Sequence, residues 1–396
     1  MTIRRVCSLL LCLCLTPALA PAFLTRVAAD EPAAAPLKAE TGNLAKLVKR
    51  LASSKYVIGA PRYDDRPYAD PAAALHAFRH LAAAMAWGDV TAAAKQAAAL
   101  DYELVEFTDA DTNREFYVLR EDLAAAKQLR GWGSYIFNPH SRVDAVIEVP
   151  HPMADVHTPE IGGRIFAACG ARGLLIAGTH REKADVPDLV DSVFHQVHTA
   201  WIGPQAQVAA YQIHGFTSVK HAFPKATHVV VSTGDGAVPA AIADLDATLE
   251  EHGLASYVFN DLSPKANRRL NGDVPGVTFK SLAAAKNEQG RLSRSLGGSF
   301  VHVELEGDIR SNAQTRTLAG EAIAAVITGN AAAHGQPRND EAVAVAVAQV
   351  ASVSQPVGVD RNADSAPAEL RIAAKPASAS GKAILAADSQ AQELSR

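Results

Sequence analysis

The segment VPHPMADVHTPE, residues 149–160, places two histidines and two carboxylates directly after an apolar run. Imidazole nitrogens and carboxylate oxygens are common ligands of catalytic zinc, which keeps one coordination position open for water. Nine of the fourteen histidines in the chain lie between positions 140 and 228, so the segment is part of a wider cluster. The pattern predicts a metal site, with His151 and His157 as alternative ligands.

Further polar residues follow the ends of predicted strands. The run VDAVIEVP leads to His151, LLIAGT is followed by His180 and Arg181, and QVAAYQI ends at His214. In open α/β sheets, ligands bind beyond the carboxyl ends of the strands, and a charge buried there without a partner is costly. We therefore expect these side chains to meet at one edge of the sheet, with Glu160 opening the next helix on that edge.

Glu304 lies in a β-type run, SFVHVEL, late in the chain. Alternation along a strand places Glu304 on the same side as His302 and opposite Val301, Val303 and Leu305. Hydrolysis by a zinc-activated water needs a nearby group that takes and returns a proton. Glu304 is predicted to be that general base and acid, and a solvated charge on an edge strand is the alternative.

Two histidines, His195 and His198, lie three residues apart in SVFHQVHTAW and so share one face of a predicted helix. One of them is expected to line the rim of the site, or both to pack against the sheet, and His195, His198, His180 and Arg181 are the candidate substrate-contacting residues. Metal binding by this pair is the less favoured alternative. The sequence contains no HExxH motif and no Gly-x-Ser-x-Gly elbow, and the missing elbow argues against a serine hydrolase.

Strands alternate with helices through the middle of the chain. Helical patterns cover residues 70–100, 159–171, 186–201, 238–252 and 315–327, and β-rich runs on either side of DADTN predict a hairpin. The alternation predicts an α/β fold with a mixed or mostly parallel central sheet flanked by helices, in a single main domain.

The two ends of the chain differ from its centre. Residues 1–29 join a basic start to an apolar run and small residues, which is typical of a secretory signal peptide. Residues 30–45 are rich in Ala, Pro and Glu and are interpreted as a linker, and the low-complexity residues 332–396 as a disordered tail. The remaining domain, 46–331, has its core at 143–328. The protein is expected to be exported, either to the periplasm or into the medium, with no transmembrane segment once the signal is removed.

The composition excludes some classes of partner. A net charge of −4 with 20% charged residues is unlike the basic excess of a nucleic-acid-binding protein. Cys169 is the only cysteine beyond residue 29, so the mature chain has no internal disulfide. Its small neighbours favour a buried, unreactive thiol.

The order of these features resembles that of the zinc-dependent N-acetylmuramoyl-L-alanine amidases. It is also similar to that of the metallocarboxypeptidases and phage-type poly-γ-glutamate hydrolases of the same broad superfamily. In those enzymes a histidine, a glutamate and a second histidine hold one zinc, and a late glutamate is catalytic. The resemblance covers about residues 143–328 and is one of pattern rather than close sequence.

Carried over by position, the resemblance implies a zinc site formed by His151, Glu160 and His214, with Glu304 catalytic. His157 is the alternate first ligand, because His157-Thr-Pro-Glu160 matches the His-x-x-Glu of the metallocarboxypeptidases, whereas prolines flank His151. The separation of Glu160 from His214, 54 residues, is nearer to that in the amidases and poly-γ-glutamate hydrolases. Strand-end geometry favours His151.

The resemblance implies an exported hydrolase with one Zn²⁺ per chain. Its substrate would be a peptide-like or peptidoglycan-derived amide, of the N-acetylmuramoyl-peptide or γ-glutamyl type, whose carboxylate Arg310 would bind. A non-catalytic periplasmic protein that binds metal or cell envelope on the same fold is the alternative. A third hypothesis is a phosphoesterase with a second metal held by Asp155, His195 and His198.

Overall fold

Ten strands form one mixed sheet at the centre of the protein. The computed structural model describes residues 37–62, 70–126, 128–204 and 206–333. The strands are β1 (Lys38–Gly42), β2 (Tyr102–Asp109), β3 (Glu115–Glu121), β4 (Ser134–Phe137), β5 (Val143–Val149), β6 (Ala171–Ile176), β7 (Ala209–Phe216), β8 (Val229–Ser232), β9 (Ser256–Val258) and β10 (Phe300–Glu306). Their order across the sheet is β1-β2-β3-β4-β6-β5-β7-β10-β8-β9.

The four central strands, β6, β5, β7 and β10, run parallel to one another. Gln212 on β7 lies beside Glu148 of β5 on one side and His302 of β10 on the other, and His214 lies beside Glu304. Because side chains two residues apart point to the same face of a strand, all five project from one face. The carboxyl ends of these strands meet at one edge, as the sequence pattern predicts.

Helices cover both faces of the sheet. They are α1 (Leu44–Leu51), α2 (Pro71–Ala86), α3 (Val90–Ala99), α4 (Thr158–Cys169), α5 (Val193–Ile202), α6 (Ala240–Glu251), α7 (Pro264–Asn271), α8 (Glu288–Ser295), α9 (Gly307–Ser311) and α10 (Ala313–Ala333). One apolar core joins α1, α4, α6 and α10 to one face. A second core joins α2, α3 and α5 to the other face, with α8 against α5 and β10. Burying both faces in this way is typical of parallel sheets.

The α/β fold with a mixed, mostly parallel central sheet is confirmed. The helical pattern over residues 70–100 is divided by Gly88, whose positive φ of 80° ends the first helix. The helix expected from residue 186 begins only at Val193, since the Ser192 side chain caps it by accepting a hydrogen bond from the His195 backbone. The short helices α7, α8 and α9 lie outside every helical pattern predicted from the sequence.

The boundary of the predicted linker needs correction. Residues 38–42 form β1, which pairs in parallel with β2, and α1 begins at Leu44. The physical reason is the buried guanidinium of Arg120, which holds the carboxylate of Glu40 at 2.6 Å. The strand therefore completes the edge of the sheet instead of linking two regions.

The predictions for the two ends of the chain concern mostly residues outside the described ranges. The signal peptide lies outside the described residues, as does the tail apart from its first two positions, which belong to α10. Within the described part of the chain, we find no helix with both the length and the apolarity needed to cross a membrane.

Candidate active site

Three buried side chains, His151, Asp155 and His214, converge at the carboxyl edge of the central strands. Nδ1 of His151 lies 3.1 Å from Oδ2 of Asp155, and Nδ1 of His214 lies 3.7 Å from the same oxygen. The two imidazole rings meet edge to face, with centroids 4.8 Å apart. The three residues can therefore offer three ligand atoms to a single metal ion.

A short turn after β5 brings Asp155 back to the histidines. The backbone N–H of Asp155 donates to the carbonyl of His151 at 3.0 Å, and the hydroxyl of Thr158 donates to the carbonyl of Asp155 at 2.8 Å. On the neighbouring strand, the backbone N–H of Gly215 donates to Oδ2 of Asp155 at 3.0 Å. The carboxylate is thus held between the turn and β7.

Nε2 of His151 and Nε2 of His214, the ring nitrogens that point away from Asp155, each have a separate acceptor. Nε2 of His151 lies 2.6 Å from Oδ1 of Asp185, and Nε2 of His214 lies 2.7 Å from Oε1 of Gln212. Both acceptors are oxygens without a proton to give, so Nε2 is the donor in each pair. In neutral His214 the lone pair is therefore on Nδ1, the nitrogen that faces Asp155, and His151 has the same lone pair once Nδ1 gives up its proton. Metal-binding histidines commonly donate their second N–H to an outer acceptor in this way.

Glu304 and His302 extend the cluster along β10. Together with His214 they form a second set of three buried potential ligands, and Nε2 of His302 lies 3.7 Å from Oε1 of Glu304. Nδ1 of His302 and Oε2 of Glu304 are buried without a hydrogen-bond partner. Unsatisfied buried polar atoms are rare in proteins, and these two beside a His-Asp-His set fit a bound metal and a polar ligand of that metal.

Burial shifts the pKa values of Glu304, His302 and His214. It raises the pKa of Glu304 to about 8, and the negative charge of Asp155 adds to the rise. Burial lowers the pKa of His302 to about 3 and that of His214 well below its ordinary value. In the metal-free protein at neutral pH, both histidines are neutral and Glu304 is largely protonated.

Hydrogen bonding favours the charged forms of His151 and Asp185. Burial lowers the pKa of His151, but hydrogen bonds with Asp155 and Asp185 outweigh it and leave the pKa raised. Burial likewise raises the pKa of Asp185, and the hydrogen bond with His151 more than offsets it, leaving the pKa lowered. A metal would replace the proton on Nδ1 of His151, because only a deprotonated nitrogen can be a ligand.

The structure places Glu160 and His157 apart from this cluster. Oε2 of Glu160 lies 3.4 Å from Nδ1 of His157 and 3.2 Å from Nε of Arg316 on α10. The reason is the packing of α4, which covers the sheet face opposite to His214 and turns the first helical turn toward α10. Asp155 therefore takes the position in the cluster that Glu160 was expected to fill, and His151 rather than His157 lies beside His214.

Arg310 was predicted to bind a substrate carboxylate, but its guanidinium is buried and used for structure. Its nitrogens donate to the backbone carbonyls of Leu305, Val156 and Phe216 at 2.9, 2.5 and 3.1 Å. It reaches them because Gly215 has no side chain, since a Cβ there would lie 2.5 Å from Cζ of Arg310. Arg310 thus ties the turn after β5 to the ends of β7 and β10.

Arg181, predicted to contact substrate, lies at the edge of the cluster with 41% of its side chain exposed. Its guanidinium approaches Oδ1 of Asp155 at 3.3 Å and Oδ2 of Asp185 at 3.7 Å. The adjacent His180 instead serves its own loop, where Nδ1 accepts a hydrogen bond from the backbone of Glu182 at 3.4 Å. Arg181 is therefore the better placed of the two to meet a substrate.

The helical pair His195 and His198 does not line the rim. Nδ1 of the fully buried His198 lies 2.6 Å from Oε1 of Glu148, and Nδ1 of His195 lies 3.0 Å from Nε2 of Gln289. Burial lowers the pKa of His195 to about 4. His195 faces Gln289 on α8 and His198 faces Glu148 on β5, so among the described residues these two histidines do not join Asp155 in a second metal site.

Several residues that build the site have no predicted role in the sequence pattern. Asp185 and Gln212 accept hydrogen bonds from the two histidines, and the sequence pattern predicts neither; it offers Asp155 only as a ligand of a second metal. One usable signal was the i−2 position of Gln212 relative to His214, which puts both on one face of a strand. Asp185 is brought in by a loop and carries no such periodic signal.

No known protein family matches the sequence, and no curated protein matches it either. Seven solved chains show limited similarity, among them the three that follow. Gene product Atu2144 from Agrobacterium tumefaciens is 13% identical, with a TM-score of 0.33 over 49% of this chain and 92% of that one. N-formylglutamate amidohydrolase from Ralstonia eutropha is 12% identical, with a TM-score of 0.31 over 51% and 97%. LapA aminopeptidase from Legionella pneumophila is 10% identical, with a TM-score of 0.28 over 73% and 69%. These scores are too low to transfer a function to this chain.

Proposed function

We propose that the protein is a zinc-dependent hydrolase that cleaves an amide bond. One observation carries the proposal: two imidazole Nδ1 atoms and the Asp155 carboxylate converge beside a buried glutamic acid, Glu304, that has an unpartnered oxygen. Two histidines and one carboxylate are a common ligand set for catalytic zinc. Here His151, Asp155 and His214 would hold the metal.

Zinc bound at such a site lowers the pKa of a coordinated water to near neutrality and polarises a substrate carbonyl. Glu304 would act as the general base and then as the general acid. The positive charge of the metal would offset the burial that keeps its carboxyl protonated, so that it can accept a proton from the attacking water. It would then pass that proton to the leaving amine nitrogen, which must be protonated for the C–N bond to break.

The chemistry of the rim favours a substrate that carries a carboxylate. Arg181 is half-exposed beside the cluster, and its guanidinium could exchange the contact with Asp185 for a bidentate contact with a substrate carboxylate. Peptides with a free C-terminus, muropeptides with a free glutamate carboxyl and γ-glutamyl amides all carry a carboxylate. Because the N-terminal segment resembles a secretory signal, we propose that the enzyme acts outside the cytoplasm.

The experiment is a metal count combined with a substrate panel. Purified protein stripped of metal and reloaded should bind one zinc per chain and release amine from members of a panel of dipeptides, muropeptides and γ-glutamyl peptides. His151→Ala and Asp155→Ala should lose stoichiometric zinc. His157→Ala and Glu160→Ala are the matched controls from the same segment and should retain it.

Glu304→Gln separates catalysis from binding. This variant should keep zinc and lose at least about 100-fold in turnover, in line with the usual contribution of a general acid–base group. Zinc binding without turnover of any amide in the panel by the wild-type protein would favour a non-catalytic metal-binding role. Absence of stoichiometric zinc in an active wild-type protein would refute the proposal.

A further inference from the structure

A continuous chain of buried hydrogen bonds runs beneath His214, away from the metal-facing side. Oε1 of Gln212 accepts from Nε2 of His214 at 2.7 Å, and Nε2 of Gln212 donates to Oε2 of Glu148 at 2.9 Å. Oε1 of Glu148 lies 2.6 Å from Nδ1 of His198. Gln212, Glu148 and His198 are fully buried, so none of these links is exposed to bulk water.

The direction of each bond in this chain follows from the chemistry of its members. A carboxylate accepts and does not donate, so both the amide NH₂ of Gln212 and the ring nitrogen of His198 must donate to Glu148. The amide oxygen of Gln212 must then face the opposite way, toward His214. The alternative amide orientation would set two acceptors against each other in a dry environment, which is costly.

The Gln212 amide oxygen also accepts a second hydrogen bond. Nδ2 of Asn287, in the segment just before α8, donates to Oε1 of Gln212 at 2.5 Å. At the far end of the chain, Ser293 on α8 lies 3.3 Å from Nε2 of His198. Glu148 on β5 and Asn287 before α8 therefore hold the amide in place, and His198 on α5 in turn fixes Glu148.

We propose that Gln212 is a positioning residue. Held by Glu148 and Asn287, it fixes His214 as the tautomer with the proton on Nε2 and holds the ring so that Nδ1 faces Asp155. This inference rests on the zinc site proposed above, since the Nδ1 lone pair of His214 would be the ligand of the zinc ion. The alternative, that Gln212 only satisfies buried polar groups, predicts no specific effect on zinc.

Gln212→Met tests the proposal, because methionine has a similar length and offers the His214 proton only a thioether sulfur, which is a weak acceptor. Loss of an outer hydrogen-bond partner of a metal ligand typically weakens metal binding by about 10–100-fold. We expect a loss of that size in zinc affinity, measured on the full chain by competition with a chromophoric chelator at neutral pH. Glu148→Gln, which loosens the hold on the amide, should give a smaller loss in the same direction.

Gln289→Met is the matched control. Gln289 is equally buried, lies on the same side of the sheet and contacts a histidine, His195, that is not in the metal cluster. Its replacement should change zinc affinity by no more than about twofold while removing a comparable buried amide. Equal losses in the two methionine variants, or no loss in Gln212→Met, would overturn the proposal.

A spectroscopic measurement does not depend on how the variants fold. Long-range ¹H–¹⁵N correlation spectra of metal-free wild-type protein labelled at histidine should show His214 with its proton on Nε2, and a proton on Nδ1 would refute the inference. If the wild-type protein fails to bind zinc, the proposed function falls. The tautomer of His214 would then still decide whether Gln212 positions that ring.

Discussion

Glu304→Gln should stabilise the metal-free protein while removing its activity. Burial and the charge of Asp155 raise the pKa of Glu304 from 4.5 to about 8. A carboxyl whose pKa is higher in the folded than in the unfolded state makes the protein less stable as pH rises between the two values. Below pH 4.5 both states bind the proton and the penalty is absent, and above pH 8 it is fully present.

The size of the effect follows from the shift. Each pKa unit corresponds to about 1.4 kcal/mol, so a rise from 4.5 to about 8 amounts to at most roughly 5 kcal/mol at alkaline pH. Water that enters the metal-free site reduces this value. Glutamine has nearly the same shape and no charge, so the variant escapes the penalty at every pH.

Urea unfolding in the presence of a chelator measures the effect. The free energy of unfolding of Glu304→Gln should exceed that of the wild type by little at pH 5 and by several kcal/mol at pH 9, within the upper bound of roughly 5 kcal/mol. Subtracting the two free energies of unfolding cancels the contribution of the buried histidines, because it is the same in both proteins to first order. Parallel stability profiles over this pH range would refute the reasoning.

Glu306→Gln is the control on the same strand. Burial raises the pKa of Glu306, but hydrogen bonds from the backbone of Asp308 and from Ser218 outweigh it and leave the pKa lowered. A carboxyl with a lowered pKa adds stability above its unfolded value, which is lost only as pH falls. Glu306→Gln should therefore destabilise the protein by an amount that hardly changes between pH 5 and pH 9.

Three further predictions concern the surroundings of the cluster. Gly215→Ala would push a methyl group against the fixed Arg310 and should lower the free energy of unfolding by about 1–3 kcal/mol. Gly307→Ala is the control and should cost less, because the nearest heavy atom to its new Cβ would lie 3.8 Å away. Equal urea midpoints for the two variants would contradict this prediction. Asp185→Asn removes the carboxylate that accepts the hydrogen bond from the proposed ligand His151 and should weaken zinc binding about 10–100-fold in a chelator competition. An unchanged zinc affinity would show that Asp185 does not support metal binding. Burial raises the pKa of Cys169 to about 11, so a thiol reagent at pH 8 should label it only after unfolding, and rapid labelling of the native protein would show that α4 opens.

The sheet was largely predictable because its signals are local. The alternation of strands with helices, and the position of His214 and Glu304 on strands, can be read from neighbouring residues whose periodicity sets which face they occupy. The edge strand β1 could not be predicted, because its charged sequence forms a strand only where the Arg120 guanidinium lies buried beside Glu40.

The candidate site was predictable only in part. The sequence by itself determined that His151, His214 and Glu304 follow or belong to strands of an α/β sheet, since strand periodicity depends on residues close together in the chain. Only the tertiary structure decided that Asp155 rather than Glu160 joins them. The packing of α4 turns Glu160 toward Arg316, while a turn and the Gly215 backbone hold Asp155 between the two histidines. Such choices depend on contacts between residues distant in sequence, which no local pattern records.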